Sequence, residues 1–353
     1  MRNGQRGMDG VRWALVAVIW MVAMWGGPVW ASGEAQGGEA DEKVWTLAVM
    51  ADLNGAFGSK EYNEHVHGAV QWLIDDGEAD AVLIAGDMVA GQMEGLDYSG
   101  MWEAFHEVVT RPLREAGLAV AVTPGNHDGS ERPRFWRERV EFARQWERYR
   151  PQVAMIDDEM YPFYYAFEVG PATVISMDGT GVGRLDEAHI DWMMSLPGSA
   201  GSGTGGPVFV MSHLPQYPVA QGREVEIFDD PQLEDFVEEV GPAAMISGHH
   251  HAYYPARVGE TLFLHAGALG SGVRPLLGED EPGERVLSLV HFDEDGVVGL
   301  EARVGPDFER HLENEALPDR LVMPSGRRVA REALERWDGV GDDGQERSEG
   351  ASK

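Results

Sequence analysis

The stretch 245–254, MISGHHHAYY, sets three histidines directly behind the apolar run Ala243, Ala244, Met245, Ile246. A short uncharged run of this kind reads as a strand buried on both faces, so the histidines belong to the folded chain and not to a tag. Four more runs have the same character: 44–51, 81–85, 118–122 and 208–211, apolar apart from Thr46. Amphipathic segments at about 60–76, 98–116, 131–149, 185–195 and 230–240 read as helices between them. Strand against helix in alternation predicts an α/β fold. Further strand candidates at 163–169, 173–177, 261–264, 286–292 and 297–304 predict that part of the sheet system is antiparallel.

The residues just behind each run carry the chemistry. The first run ends at Asp52, with Asn54 two residues on; the second gives Gly86 and Asp87; the third leads into TPGNHD, with Asn126, His127 and Asp128. The fourth gives His213 in MSHLPQY, and the fifth gives SGHHH. Taken singly, Asp and Asn after a strand are ordinary turn residues. Together they form a constellation, because the carboxyl ends of strands in α/β sheets line one crevice. The chain has no cysteine, so a metal there must be held by nitrogen and oxygen, which suits manganese, iron, zinc or magnesium. Two divalent ions roughly 3.5–4 Å apart can clamp one phosphate, but their repulsion calls for a bridging carboxylate. Asp87 is the candidate bridge, and Gly86 before it lets the backbone turn sharply.

The order DLN, AGDMV, GNHD, SH, GHHH, running from Asp52 to His251, resembles the calcineurin-like metallophosphoesterases, whose signature reads D-x-H, G-D, G-N-H-D/E, a lone H and G-H-x-H. The segment MDGTGVGRLDEAHIDWM is similar to a stretch found between the third and fourth motifs of such enzymes. The resemblance implies two facing mixed β-sheets flanked by helices, the four-layer metallophosphoesterase sandwich, with the site at one edge. It implies two divalent metal ions, one held by Asp52, Asn54, Asp87 and His251, the other by Asp87, Asn126, His213 and His249. His249 and His251 would face the metals as strand residues two apart, leaving His250 to point away. A metal-bound hydroxide would attack phosphorus in line, and His127 would protonate the departing alkoxide of a phosphate mono- or diester. Arg223 and Arg274 sit in Gly-containing loops and are expected on the surface, at most adding phosphate contacts.

Two positions depart from the pattern. Asn54 stands where the family usually has histidine, and its amide oxygen is a weaker ligand than imidazole. Ala90 stands where the phosphoprotein phosphatase branch has an aspartate that orients the catalytic histidine, and where purple acid phosphatases have a tyrosine. His127 must therefore be steered by another group, and a catalytically impaired metal-binding member of the fold is the alternative reading.

The remainder of the chain bounds location and partners. Arg2, Arg6 and Arg12 precede an uncharged apolar stretch that gives way to Gly26, Gly27 and Pro28, with small residues at Val29 and Ala31. This predicts a signal peptide over 1–31 and export to a periplasmic or extracellular space, with a retained N-terminal membrane anchor as the alternative. A mobile lead-in is expected over 32–43, one domain over 44–312, an extension over 313–337 and a disordered acidic tail over 338–353. Net charge is −32 for the whole chain. Such a surface disfavours nucleic acid or an anionic membrane and leaves a small phosphorylated substrate as the expected partner. GSGTGG at 201–206 precedes a strand, opposite to a dinucleotide-binding loop, and reads as a linker.

Overall fold

The computed structural model describes residues 43–196 and 205–333. The expected signal peptide and acidic tail, and most of the lead-in and of the 201–206 linker, lie outside the described residues. Within them the strands are β1 (Trp45–Met50), β2 (Ala81–Ile84), β3 (Val120–Val122), β4 (Ala154–Asp157), β5 (Tyr165–Val169), β6 (Ala172–Ser176), β7 (Val208–Met211) and β8 (Ala244–Ser247). They continue with β9 (Tyr253–Val258), β10 (Thr261–Ala266), β11 (Val286–Phe292), β12 (Val297–Val304), β13 (Arg310–His311), β14 (Arg320–Val322) and β15 (Arg328–Arg331). The helices are α1 (Glu64–Asp75), α2 (Tyr98–Phe105), α3 (Arg111–Glu115), α4 (Trp136–Arg148), α5 (Glu187–Ser195) and α6 (Pro231–Val240).

The strands form a six-stranded sheet, β13-β12-β11-β1-β2-β3, and a nine-stranded sheet, β14-β15-β9-β10-β8-β7-β6-β5-β4. Both are mixed: β1, β2 and β3 run parallel, as do β6, β7, β8 and β10, with antiparallel strands outside them. Side-chain alternation explains why the runs are apolar throughout. In β1, Ala48 and Met50 pack toward α1, α2 and α4, while Leu47 and Val49 pack toward the other sheet. In β7, Phe209 and Met211 enter the layer between the sheets, while Val208 and Val210 meet Leu233 and Phe236 of α6. Each strand thus serves two cores, and the layers run helix, sheet, sheet, helix. Small residues on one sheet (Ala81, Ala85, Ala121) share the middle layer with bulky ones on the other (Phe167, Phe209), which lets the sheets interdigitate.

The structure departs from the sequence expectation in two instructive places. The helix expected over 98–116 is interrupted by a π-helical turn at His106–Thr110, between α2 and α3. Pro112, at the start of α3, has no N–H to give the preceding turn. β9 is absent from the sequence expectation, because Pro255 lies inside it and proline weakens a strand reading. Here the Pro255 carbonyl accepts a hydrogen bond from Glu332 N at 2.7 Å, beside the hairpin of β14 and β15 at the edge of the larger sheet.

Candidate metal centre

The parallel strands of both sheets end on the same side. Asp52, Asp87 and Asn126 lie behind β1, β2 and β3 of the smaller sheet; His213, His249 and His251 lie behind β7 and β8 of the larger one. Among the described residues, six non-glycine positions have positive φ, and four of them are Asp52 (53°), Asp87 (55°), His249 (65°) and His251 (53°). A left-handed residue turns the chain abruptly where a strand would have continued, at a cost of about 1 kcal/mol or more each. Gly86, at φ 81°, completes the turn before Asp87; a Cβ there would lie 2.5 Å from His213 Nδ1 and 2.8 Å from Gly125 Cα. Glycine is required by both its conformation and its contacts.

Asp52, Asp87 and His213 each offer a ligand atom, all within 4.8 Å of one another. His213 Nδ1 donates to the Ala85 carbonyl at 2.9 Å, so its Nε2 presents a lone pair in the neutral ring. That nitrogen faces Asn126 Oδ1 at 2.9 Å, Asp87 Oδ2 at 3.3 Å and His249 Nδ1 at 3.2 Å. His249 Nε2 lies 2.8 Å from the Glu226 carboxylate and donates to it, so His249 Nδ1 is a second lone pair. His251 repeats the arrangement: Nδ1 donates to Gly272 O at 2.9 Å, while Nε2 sits 3.1 Å from Asp52 Oδ1, an oxygen that accepts no hydrogen bond. With the rings neutral, acceptor would face acceptor across this buried space. Such an arrangement is unfavourable unless positive charge is shared by the group.

The titration of these groups points the same way. Burial opposes charge on His213, but Asp87 and Asp52 outweigh it and push the imidazole up to about 9. Burial likewise opposes ionisation of Asp87, yet His213 and His127 hold its carboxyl well below the usual carboxylate range. His249 is lowered to about 4, chiefly by burial.

The three histidines divide their work differently from the strand-alternation expectation. β8 ends at Ser247, and His249 and His251 enter the cage because each is individually turned left-handed, not because they alternate along a strand. His250 does point away, but it is fully buried and not solvated. Its Nδ1 accepts from Val219 N at 3.2 Å and its Nε2 donates to Glu226 O at 3.1 Å, which pins the segment carrying Glu226.

Asn54 is tied in through its backbone, N to Asp87 O at 3.1 Å, while its side-chain oxygen accepts from the Ser271 hydroxyl. No hydrogen bond joins the Asn54 side chain to the other candidate ligands. Asp128 faces the backbone: its carboxylate accepts from Met88 N at 2.6 Å and Gly125 N at 2.5 Å, locking the loop after β3 onto the loop after β2.

His127 sits beside this cage, one-fifth exposed, with Nε2 4.0 Å from Asp87 Oδ2. Its Nδ1 donates to the Gly91 carbonyl at 3.2 Å, and its ring meets that of Phe57 at 5.4 Å between centroids. The Gly91 turn is itself held by Glu138 of α4, whose Oε1 accepts from Gln92 N at 2.6 Å and Tyr98 OH at 2.9 Å. A backbone carbonyl thus occupies the steering role left open by Ala90. Sequence patterns do not reveal Glu226 or Ser271, which lie in stretches without periodicity or motif, nor Glu138, which is one of several acidic residues of the amphipathic helix expected over 131–149.

The profile of the calcineurin-like phosphoesterase family matches residues 46–253, more than half of the chain. Among solved structures, the purple acid phosphatase PPD1 from yellow lupin (Lupinus luteus) seeds superposes with a TM-score of 0.56 at 15% identity, covering 77% of this chain and 53% of that one. The chain thus spans about half the length of the lupin enzyme. The structure of PhoD gives a TM-score of 0.53 at 12% identity, covering 84% and 73%. A dimetal phosphatase from Danio rerio gives 0.48 at 14% identity, covering 76% and 98%. No curated protein matches the sequence. At these identities the likeness to solved structures is one of fold, and the family assignment rests on the profile. This chain belongs to the calcineurin-like phosphoesterase family.

Proposed function

We propose that this protein hydrolyses phosphate mono- or diesters with a pair of divalent cations, drawn from manganese, iron, zinc or magnesium. The observation that carries the reading is the convergence of nitrogen and oxygen ligand atoms of Asp52, Asp87, Asn126, His213, His249 and His251 on one buried space. Asp52, Asn54, Asp87 and His251 would hold one ion, and Asp87, Asn126, His213 and His249 the other. When bound, the ions supply Lewis-acid charge to the phosphoryl oxygens and a water nucleophile at neutral pH.

The chain's own residues handle the proton. With Nδ1 committed to Gly91 O, a protonated His127 carries its transferable proton on Nε2, the nitrogen directed toward Asp87. That Nε2–H passes its proton to the oxygen leaving phosphorus. His127→Ala should lower kcat by about 10²–10⁴-fold on an alkyl phosphate, whose leaving oxygen needs a proton, and far less on 4-nitrophenyl phosphate. Metal content should be retained in the variant. Failure of metal-loaded wild-type protein to turn over any phosphate mono- or diester would overturn the reading.

The Asn54–Ser271 hydrogen bond favours one alternative, a member of the fold that binds metal weakly at the Asn54 side and does not turn over. Export through the 1–31 leader and a small phosphorylated substrate complete the proposal. Among the described residues no helix is long and apolar enough to cross a membrane.

A further inference from the structure

One wall of the crevice is made of two loops stitched together. Ala220 and Leu276 form an antiparallel bridge, flanked by hydrogen bonds from Leu277 N to Val219 O at 2.8 Å and from Gln221 N to Pro275 O at 3.0 Å. The histidine triplet anchors both loops. His250 holds Val219 and Glu226, His249 holds the Glu226 carboxylate, and His251 O accepts from Arg274 N at 3.0 Å. The wall is therefore fixed relative to the cage by the same residues that build the cage.

This wall carries two arginines, one from each loop. Arg223 pairs with Glu226, and its Nη1 lies 3.4 Å from His249 Nε2. Arg274 forms no ion pair among the described residues, and both Arg223 Nε and Arg274 Nε are buried without a hydrogen-bond partner. The charged groups that act on Arg274 are Arg223, of like sign, and Glu226. Two guanidiniums against one carboxylate leave net positive charge here in a chain of net charge −32. Both arginines, expected from sequence at the surface, are half-buried in these loops.

The side of His249 on which Arg223 lies decides what the pair can meet. His249 turns Nδ1 into the cage and Nε2 outward to Glu226 and Arg223. Nδ1 faces the candidate ligands, so the Arg223 guanidinium stands on the far side of the ring from them, one imidazole farther out. A planar guanidinium with unused donors takes a carboxylate or phosphate in preference to a neutral group.

Resting on the phosphoesterase reading, we propose that Arg274, with Arg223 beside it, receives a second anionic group of the substrate, so that the preferred substrates are phosphate esters bearing a further phosphate or carboxylate. Two matched pairs test this with metal-loaded protein: 2-phosphoglycerate against glycerol 2-phosphate for the carboxylate, and adenosine 3′,5′-bisphosphate against adenosine 5′-phosphate for the phosphate. The wild type should favour the doubly acidic member of at least one pair by roughly tenfold or more in kcat/KM, and Arg274→Ala and Arg274→Gln should collapse that ratio. Calorimetric titration with the same compounds provides a readout that needs no turnover. A tenfold binding preference, lost in the Arg274 variants, without hydrolysis of any ester would sustain this inference and overturn the phosphoesterase reading. Equal kcat/KM within both pairs, an unchanged ratio in the variants, or absence of any binding would overturn the inference.

Discussion

His249 and His251 each commit one nitrogen to the fold and leave the other to the cage, and the partner of the committed nitrogen decides which one is left. For His249 that partner is Glu226, whose carboxyl is held down to about 2, first by the hydrogen bond from His249 and then, against burial, by Arg223. Glu226→Gln removes the charge that fixes the Nε2–H tautomer. Metal affinity, measured by competition with a chelator, should fall about 10–100-fold with the fold intact by circular dichroism; an unchanged affinity would show that Glu226 does not orient His249. At this scale the sequence is most legible where a motif carries the residue. The motifs point to Asp52, Asp87 and His213, and the structure places their ligand atoms together. Glu226 is illegible because its contact with His249 spans a loop whose path no local pattern encodes.

The element that sets the orientation of His127 is the turn after β2, pinned from α4. Glu138 is pushed up to about 7, chiefly by burial and also by the charge of Asp87, against hydrogen bonds from Tyr98 and Gln92. A free glutamate ionises near 4.3, so the folded protein keeps this proton over roughly pH 4–7 while the unfolded chain loses it. Stability from this group is therefore present at low pH and is lost as pH rises through that window, by at most about 1.4 kcal/mol per pH unit. Urea unfolding at pH 5 and pH 8 should show a smaller difference for Glu138→Gln than for the wild type; equal differences would mean that Glu138 is already ionised in the fold. Elements are legible where one periodicity holds, as in β7, where the expected and observed bounds coincide. They are less legible where a proline intervenes. The helix expected over 98–116 is present but carries a π-helical turn just before Pro112, and Pro255 hides β9, whose pairing with β10 and β15 is supplied by strands outside its own local pattern.

At the scale of the whole molecule, the cage exists only because two sheets meet. The smaller sheet brings Asp52, Asp87 and Asn126, the larger brings the histidines, and His249 N crosses between them to Asp52 Oδ2 at 2.9 Å. The strongly acidic chain attracts cations, and bound cations would invert the local sign so that an anionic ester can be met. The facing of the two sheets is implied by the motif order alone, since composition and periodicity give strands but not which sheet each joins. A binuclear cage is tested most simply by the metal content of the purified, dialysed protein, with Asp87→Asn alongside. About two equivalents per chain in the wild type, with both lost or sharply weakened in Asp87→Asn, is the predicted result. Wild-type protein without stoichiometric metal after exposure to manganese, iron, zinc and magnesium in turn, or full occupancy in Asp87→Asn, would contradict it.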